Sequence, residues 1–329
     1  MQYGTIVHYI LERFFGEYTK EEYLSLEEDK FQKIVCAYLA QYAVKYFGEE
    51  QLESNSFTYR LKTILDNVMY LMKHIMEELS QSEFFVADCE LKIGEDIPSY
   101  TIVLPDGHKI AVCGSVDRVD IMQRADITYL RIIDYKTGKK HFKLSDILYG
   151  INLQMLLYLH SIEASGGDKY GEIVPAGILY MLATVPYISS DSLKSIDKLP
   201  DELNKKLKMN GLLLKDTEII HGMDKTDAAT YIPVKIKAGE PVSSTSLATL
   251  AEFGKIFKKV DMLIAEMGKN IYNGNIEAKP LKGGHDSCEY CPYDSVCAYR
   301  QSNPITCFSV DNKTVIEEIT NEINGKEEE

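Results

Sequence analysis

The stretch from Lys109 to Gly138 leaves this chain the least freedom. Two runs rich in Val, Ile and Tyr, Lys109 to Met122 and Thr128 to Tyr135, flank a short break at Arg124-Ala125-Asp126. Runs of that composition on either side of a tight break read as paired strands. A hairpin folded about Ala125-Asp126 sets Asp117 opposite Asp134 on one face, and Asp120 opposite Arg131 on the other. Directly opposed side chains have Cβ atoms ~4.5–5.5 Å apart, where like charges repel. Asp117 and Asp134 so placed need a cation between them or a shared proton. Lys136 follows Asp134 by two positions and points to the same face. Asp120 and Arg131 carry opposite charges and are expected to form a structural ion pair. The break lacks the Asn-Gly signal of a strict two-residue turn; Asp117 and Asp134 on opposite sheet faces would overturn the register.

Around this hairpin the periodicity changes twice. Apolar residues at helical spacing (Ile6, Val7, Ile10, Leu11, Phe14) predict a helix over Tyr3 to Phe15, and two more follow over Glu21 to Phe47 and Phe57 to Leu79. Strand-like runs then cover Phe84 to Ile93 and Tyr100 to Leu104, with Pro105-Asp106-Gly107 as a further break. A helix is expected from about Ser145, as N-cap, to Ala164, then a buried strand over Ile173 to Ala183. Tyr187 to Thr245 reads as a polar, irregular insertion with some strand and turn content, and Ser246 to Lys269 as a helix. The expected fold class is α/β, a mixed sheet core flanked by helices, with a helical N-terminal part and a cysteine-bearing C-terminal cap. The divisions along the single domain are 1–83 helical, 84–186 core, 187–245 insertion, 246–310 helix and cysteines, and 311–329 acidic tail.

Two carboxylates and an ammonium on one sheet face suit phosphodiester hydrolysis. The carboxylates would hold Mg²⁺ or Mn²⁺, hard cations that prefer oxygen ligands. Such an ion polarises the phosphate and activates a bound water. The lysine can stabilise the developing negative charge or orient the water. The net charge of −14 runs against this reading, since nucleic-acid binding leaves a basic footprint. Part of the excess sits at the end, where Glu317, Glu318, Glu322, Glu327, Glu328 and Glu329 face only Lys326, a tail expected to be solvated or frayed. Local basic clusters do exist at Lys136, Lys139, Lys140 and Lys143, and at Lys205, Lys206 and Lys208. The balance argues for a catalytic module fed by a larger partner over an autonomous, tight DNA binder. No stretch approaches the ~20 apolar residues of a membrane helix. The start is not a charged-then-apolar signal, so a cytoplasmic location is expected.

Together these residues resemble a known family. Gly114-Ser115-Val116-Asp117, Asp134-Tyr135-Lys136-Thr137-Gly138 and Gln154-Met155-Leu156-Leu157-Tyr158, in that order, resemble the RecB-like branch of the PD-(D/E)XK nucleases. Gly4-Thr5-Ile6-Val7-His8 matches the helical Gly-x-x-x-His motif that precedes them. The closer resemblance, covering nearly the whole chain, is to the C-terminal nuclease region of the B subunits of AddAB-type ATP-dependent helicase/deoxyribonucleases. Met209-Asn210-Gly211-Leu212 and the His285 to Cys297 segment support it. The resemblance implies a restriction-endonuclease-like fold and Mg²⁺-dependent cleavage of single-stranded DNA ends. It further implies work alongside a helicase–nuclease A subunit in double-strand-break repair and recombination. It marks His8, Asp117, Asp134 and the main-chain carbonyl of Tyr135 as metal ligands and Lys136 as the catalytic lysine. Gln154 and Tyr158, four apart and hence on one helix face, would position DNA or the active site. No phosphate-binding loop is present, so ATP-driven unwinding would come from elsewhere.

The cysteines add a second implication. Cys288, Cys291 and Cys297 crowd into ten residues, spacing suited to metal or cluster ligation. In the family such a trio joins a fourth cysteine, upstream of the Gly-x-x-x-His helix, around a [4Fe–4S] cluster. Here only seven residues precede His8 and none is cysteine. The expectation is a fragment of a longer protein with an incomplete or absent cluster. Cys307 or His285 could instead complete a four-ligand, zinc-type site. Cys36, Cys89 and Cys113 are expected to be ordinary buried thiols. Two alternatives stand beside the leading reading: a stand-alone nuclease like the CRISPR-associated RecB-like enzymes, and a catalytically silent scaffold that binds DNA or a partner. The long insertion and helical start oppose the first, and the intact acidic and lysine positions oppose the second.

Overall fold

The computed structural model describes residues 3–138, 140–188, 199–226, 228–243, 245–297 and 304–327. Lys139, Glu328 and Glu329 of the charged clusters above lie outside them. Helices α1 (Tyr3–Glu17), α2 (Lys20–Leu24), α3 (Glu28–Phe47), α4 (Glu49–Leu52) and α5 (Asn55–Ser80) come first. Strand β1 (Phe85–Ile93) is followed by β2 (Tyr100–Val103), β3 (Lys109–Val112), β4 (Gly114–Arg124) and β5 (Ile127–Lys136). A 3-10 turn (Leu144–Tyr149), α6 (Gln154–Ser165) and α7 (Gly167–Tyr170) lead to β6 (Glu172–Leu182). Next come α8 (Leu199–Leu207), β7 (Asn210–Leu214), α9 (Thr217–Met223), β8 (Lys235–Lys237), β9 (Glu240–Val242) and β10 (Leu247–Ala248). The chain closes with α10 (Leu250–Tyr272), β11 (Leu281–Gly283), α11 (Asp294–Cys297), β12 (Ile305–Cys307) and α12 (Asn312–Glu327).

A six-stranded mixed sheet, ordered β1-β4-β5-β6-β7-β10, carries the core. The β4–β5 hairpin has the register expected from the sequence, with Asp120 opposite Arg131 and Arg124 opposite Ile127 across a two-residue turn. Ala125 supplies that turn at a positive φ of 49°, a conformation that costs an L residue roughly 1–2 kcal/mol. β5 and β6 run parallel, which demands a crossover, and α6 provides it. The apolar stripe of α1 (Ile6, Val7, Ile10, Leu11, Phe14, Phe15) is buried, which docks the helix and turns His8 toward the sheet. Among the described residues, no helix is long and apolar enough to cross a membrane.

Beneath the hairpin lies a wholly buried charge network. Arg118 and Arg131 are both fully enclosed with Asp120 and with Glu78 of α5. Arg118 donates from Nε and Nη2 to the two Asp120 oxygens at 2.7 Å each, a bidentate pair. Arg131 donates to Glu78 Oε1 at 2.6 Å and to Asp120 Oδ2 at 3.0 Å. Two guanidiniums against two carboxylates leave no net charge in the core, the condition for tolerating burial. The expected Asp120–Arg131 pair is thus one edge of a four-member network.

Several elements depart from sequence expectation, each for a local reason. The helix expected over Ser145 to Ala164 is interrupted: Gly150 (φ 68°) and Asn152 (φ 54°) take left-handed backbone, so a 3-10 turn ends and α6 begins only at Gln154. The Glu21 to Phe47 segment is likewise two helices, parted at Ser25 to Glu27. Residues 210–214 supply strand content expected of the insertion, but they do so inside the central sheet, as β7. The acidic tail is solvated at Glu317 and Glu318, as expected, but it forms α12, which buries Val315, Ile319 and Ile323, spaced at i and i+4, and its Glu322 pairs with Lys259 of α10 at 2.5 Å. Of the three thiols expected to be buried, Cys36 and Cys89 are half-buried and Cys113, between β3 and β4, is exposed.

α6 is tied to β2 and α10 through His160. Its Nε2 lies 3.2 Å from both Tyr100 Oη and Asp261 Oδ2, its Nδ1 lies 3.4 Å from Glu163, and its ring stacks on Phe257. Burial disfavours the imidazolium, but the bonds to Asp261 and Glu163 outweigh it and raise the pKa from 6.5 to about 9. A folded pKa above the unfolded one stabilises the fold fully below pH 6.5, and that contribution disappears as pH rises through about 9. The thermal midpoint gap between wild type and His160→Gln should therefore be widest at mildly acidic pH and narrow on the alkaline side. A gap that does not change with pH would show that His160 is not charged in the fold.

Candidate active site

Four elements converge at one end of the hairpin: α1, β1, β4 and β5. The β1–β4 ladder pairs Cys89 with Arg118 and Leu91 with Val116, which sets Glu90 across from Asp117. Continuation of the β4–β5 register sets Asp134 on the other side of Asp117. Three carboxylates thus lie in a row over three strands, a placement that like-charge repulsion alone forbids. His8 reaches into the row from α1. Its Nδ1 lies 2.8 Å from Glu90 Oε1, and its Nε2 lies 3.7 Å from Asp117 Oδ2.

The surroundings hold each group in place. Glu90 also accepts from Ser115 Oγ at 3.0 Å, on the strand that bears Asp117. Glu90 has a positive φ of 51°, backbone that an L side chain rarely adopts, and strain of that kind gathers at functional sites. Asp117 Oδ2 accepts the Tyr135 backbone N–H at 2.8 Å, and the Tyr135 ring meets His8 edge-on. Lys136 Nζ lies 2.5 Å from Asp134 Oδ2. That contact lacks hydrogen-bond geometry, so among the described residues no hydrogen bond satisfies the buried Asp134 Oδ2.

These placements displace the titrations. The bond from His8 holds Glu90 below the usual carboxylate range and raises the His8 imidazole in turn. Asp117 moves the other way, up to about 6, because burial penalises its charge and Asp134 adds repulsion that His8 only partly offsets. The row is electrostatically frustrated, and a cation would relieve it.

The donor set fits a divalent ion. Among the described residues, His8, Glu90 and Asp117 form the one group of three potential ligands whose atoms lie within 4.8 Å of one another. The unmet oxygen of Asp134 adds a fourth donor at the same end of the hairpin. His8 can ligate through Nε2 while Nδ1 bonds Glu90, the histidine–carboxylate pairing that fixes ring orientation at metal centres. Glu90 escaped the sequence reading. It is one of two acids in β1, with Asp88, and only the pairing of β1 with β4 singles it out.

Gln154 and Tyr158 are brought to each other and to the base of β4. Gln154 Nε2 lies 3.4 Å from Tyr158 Oη. A Cβ on Gly114 would fall 2.2 Å from that same oxygen, so only glycine admits the ring there. No hydrogen bond joins either residue to Asp117, Asp134 or Lys136 among the described residues. Met209-Asn210-Gly211-Leu212 also acquires a physical role. The Asn210 amide accepts from Phe142 N–H and donates to Lys140 C=O, both at 2.8 Å, which pins the loop that follows Lys136. Gly211 lets β7 close on β6, where a Cβ would lie 1.9 Å from the Ile178 carbonyl oxygen.

The cysteines are not gathered into a comparable site. Cys288 and Cys291 are half-buried and Cys297 is exposed on α11. Among the described residues, neither Cys307 nor His285 joins them in a compact set of potential ligands. Cys288, Cys291 and Cys297 would supply three of the four thiolates that a [4Fe–4S] cluster takes.

The PD-(D/E)XK nuclease superfamily matches residues 1–298. The chain is 38% identical over 246 residues to the ATP-dependent helicase/deoxyribonuclease B subunit of Thermoanaerobacter sp. (strain X514), covering 73% of this chain and 21% of the relative. The B subunit of Alkaliphilus oremlandii (strain OhILAs) is 32% identical over 335 residues, 97% of this chain and 29% of the relative. That of Clostridium acetobutylicum is 33% identical over 313 residues, 90% and 26% respectively. The chain thus spans less than a third of the length of the relatives it matches.

Proposed function

Because the chain belongs to the PD-(D/E)XK nuclease superfamily, we propose that it is a nuclease domain hydrolysing the phosphodiester bonds of single-stranded DNA ends with Mg²⁺ or Mn²⁺. The observation that carries this is the row of Glu90, Asp117 and Asp134 beside His8 and Lys136. His8, Asp117, Asp134 and the Tyr135 carbonyl would hold the ion. When bound, such an ion polarises the phosphate and lowers the pKa of a coordinated water. Glu90 keeps the His8 ring oriented through Nδ1. Lys136, released from Asp134, offers an ammonium to the charge that develops on the phosphate in the transition state. Gln154 and Tyr158 would position the strand near β4. The likeness to helicase/deoxyribonuclease B subunits supports a larger assembly, in which an A-type helicase partner unwinds broken duplex ends for repair and recombination.

The test is cleavage of single- and double-stranded DNA by the chain with Mg²⁺ or Mn²⁺, beside Asp134→Ala. Cleavage should require the metal, stop on chelation and vanish in the variant. Equal cleavage by both proteins would end the assignment. A second prediction concerns Gly114→Ala. The new methyl expels the Tyr158 ring from its seat, so cleavage should fall by about 10-fold or more while the fold survives, since a misplaced positioning group costs rate before it costs stability. Unaltered rates would separate Tyr158 from the chemistry.

A further inference from the structure

Lys136 borders two cavities at once. One, of about 630 Å³, opens over His8, Glu90 and Tyr135. The other, of about 210 Å³, is walled by Lys140, Tyr180, Lys206 and Asn210. This second cavity shares Lys205 and Lys208 with a third of about 1000 Å³, whose walls add Lys215, Lys235, Lys237 and Lys313. Shared wall residues make the three a single track that starts at the carboxylate row.

The charge along this track is out of keeping with the rest of the molecule. The chain carries a net −14, yet the described walls of the largest cavity hold one carboxylate, Glu252. That group is already committed to capping α10, where it accepts from Thr249 N–H and Oγ1–H. Lys215, Lys235 and Lys237 are exposed and form no ion pair among the described residues. Lys136 and Lys140 lie 5.8 and 5.2 Å from the centre of the Tyr180 ring, so two ammoniums share one aromatic ring. Lysines gathered in a cleft with low-dielectric walls focus a positive potential there. Apolar side chains, Met209, Pro233, Pro241 and Val242, separate them.

We propose that this groove is a binding track for the phosphate backbone of a single-stranded polynucleotide, running from the β7–β9 region to Lys136. Spaced phosphates match spaced ammoniums, and bases can rest on the apolar wall between them. The proposal rests on the nuclease reading for what lies at the end of the track and deepens it by naming where the uncut strand lies.

The test uses the triple variant Lys215→Glu, Lys235→Glu, Lys237→Glu in the full chain, with the thermal midpoint matched to wild type as the folding control. Binding of fluorescent single-stranded oligonucleotides is read by anisotropy in chelator across a salt series. For a strand of about 16 nucleotides, the triple variant should bind at least about tenfold more weakly, and its log–log salt slope should be shallower by about 2, or ~0.7 per lost phosphate contact. For a strand of about 4 nucleotides, short enough to sit beside Lys136 alone, the two proteins should bind alike. Wild-type affinity and slope in the triple variant would overturn the track, as would equal weakening for both lengths. Anionic lipid vesicles displacing the long strand as well as unlabelled DNA does would overturn it too, in favour of a membrane-facing surface. Lys136→Ala keeps the two ideas apart: it should bind the long strand yet not cleave it. If wild type does not cleave either, the nuclease reading fails while the salt slope still reports on the track.

Discussion

Lys136→Ala is expected to lower the single-turnover rate of DNA cleavage by at least about 10²–10³-fold while leaving the thermal midpoint nearly unchanged. The two halves of that expectation have separate causes. Lys136 ends β5 with its side chain 30% exposed, and among the described residues its one ion pair is with Asp134. A partly exposed ion pair contributes little to stability, so its loss should scarcely move the fold. Activity depends on something else: a fixed positive charge beside the place where negative charge develops, in a site that burial has already made poorly screened. Lys136→Arg should restore little, because a planar guanidinium does not replace a compact ammonium. Rates within about threefold of wild type for Lys136→Ala would remove it from the chemistry and leave it as a counterion to Asp134.

The largest expected loss of stability is at Asp120. Asp120→Ala removes the carboxylate that holds both guanidiniums, leaving Arg118 and Arg131 buried with Glu78 alone. Breaking one partner out of a buried ionic network costs about 3–5 kcal/mol, because the uncompensated charge stays in the core. Among the described residues Arg131 Nη1 already lacks a hydrogen-bond acceptor, so the network has no spare acceptor to redistribute. The measurement is the denaturant midpoint at constant m. A loss below about 1 kcal/mol would show that water or repacking reaches the guanidiniums. Because Arg118 lies next to Asp117, and Arg131 three residues before Asp134, the same variant should also weaken metal-dependent cleavage at temperatures where it remains folded.

Much of this was legible before any coordinates. A break at Ala125-Asp126 between two β-rich runs is enough to set the register, because strand pairing has a period of two and permits only whole-residue offsets. From that followed Asp117 facing Asp134, Lys136 on their side, and Asp120 with Arg131 on the other. The α1 stripe was readable for the same reason, a helical period with its apolar positions all on one side. What escaped were features set by contacts between segments distant in sequence. Glu90 is 82 residues from the His8 it orients, and Glu78 is 40 from the Arg118 it neutralises. The α12 stripe was hidden by acidic residues whose charge dominates the composition while three apolar positions decide the packing.

The lysines of the groove show the same division. Residues 205–208 and 136–143 appeared in the sequence as two unrelated basic clusters, in a chain too acidic to advertise a nucleic-acid surface. Only β7, added to the central sheet between β6 and β10, carries the second cluster alongside the first. For the carboxylates, local chain chemistry determined the pair, because neighbouring strands joined by a tight turn have no other way to meet. The completed row, with His8 and Glu90, was decided by the tertiary structure, because helix docking and β1–β4 pairing depend on buried surface that no local pattern encodes.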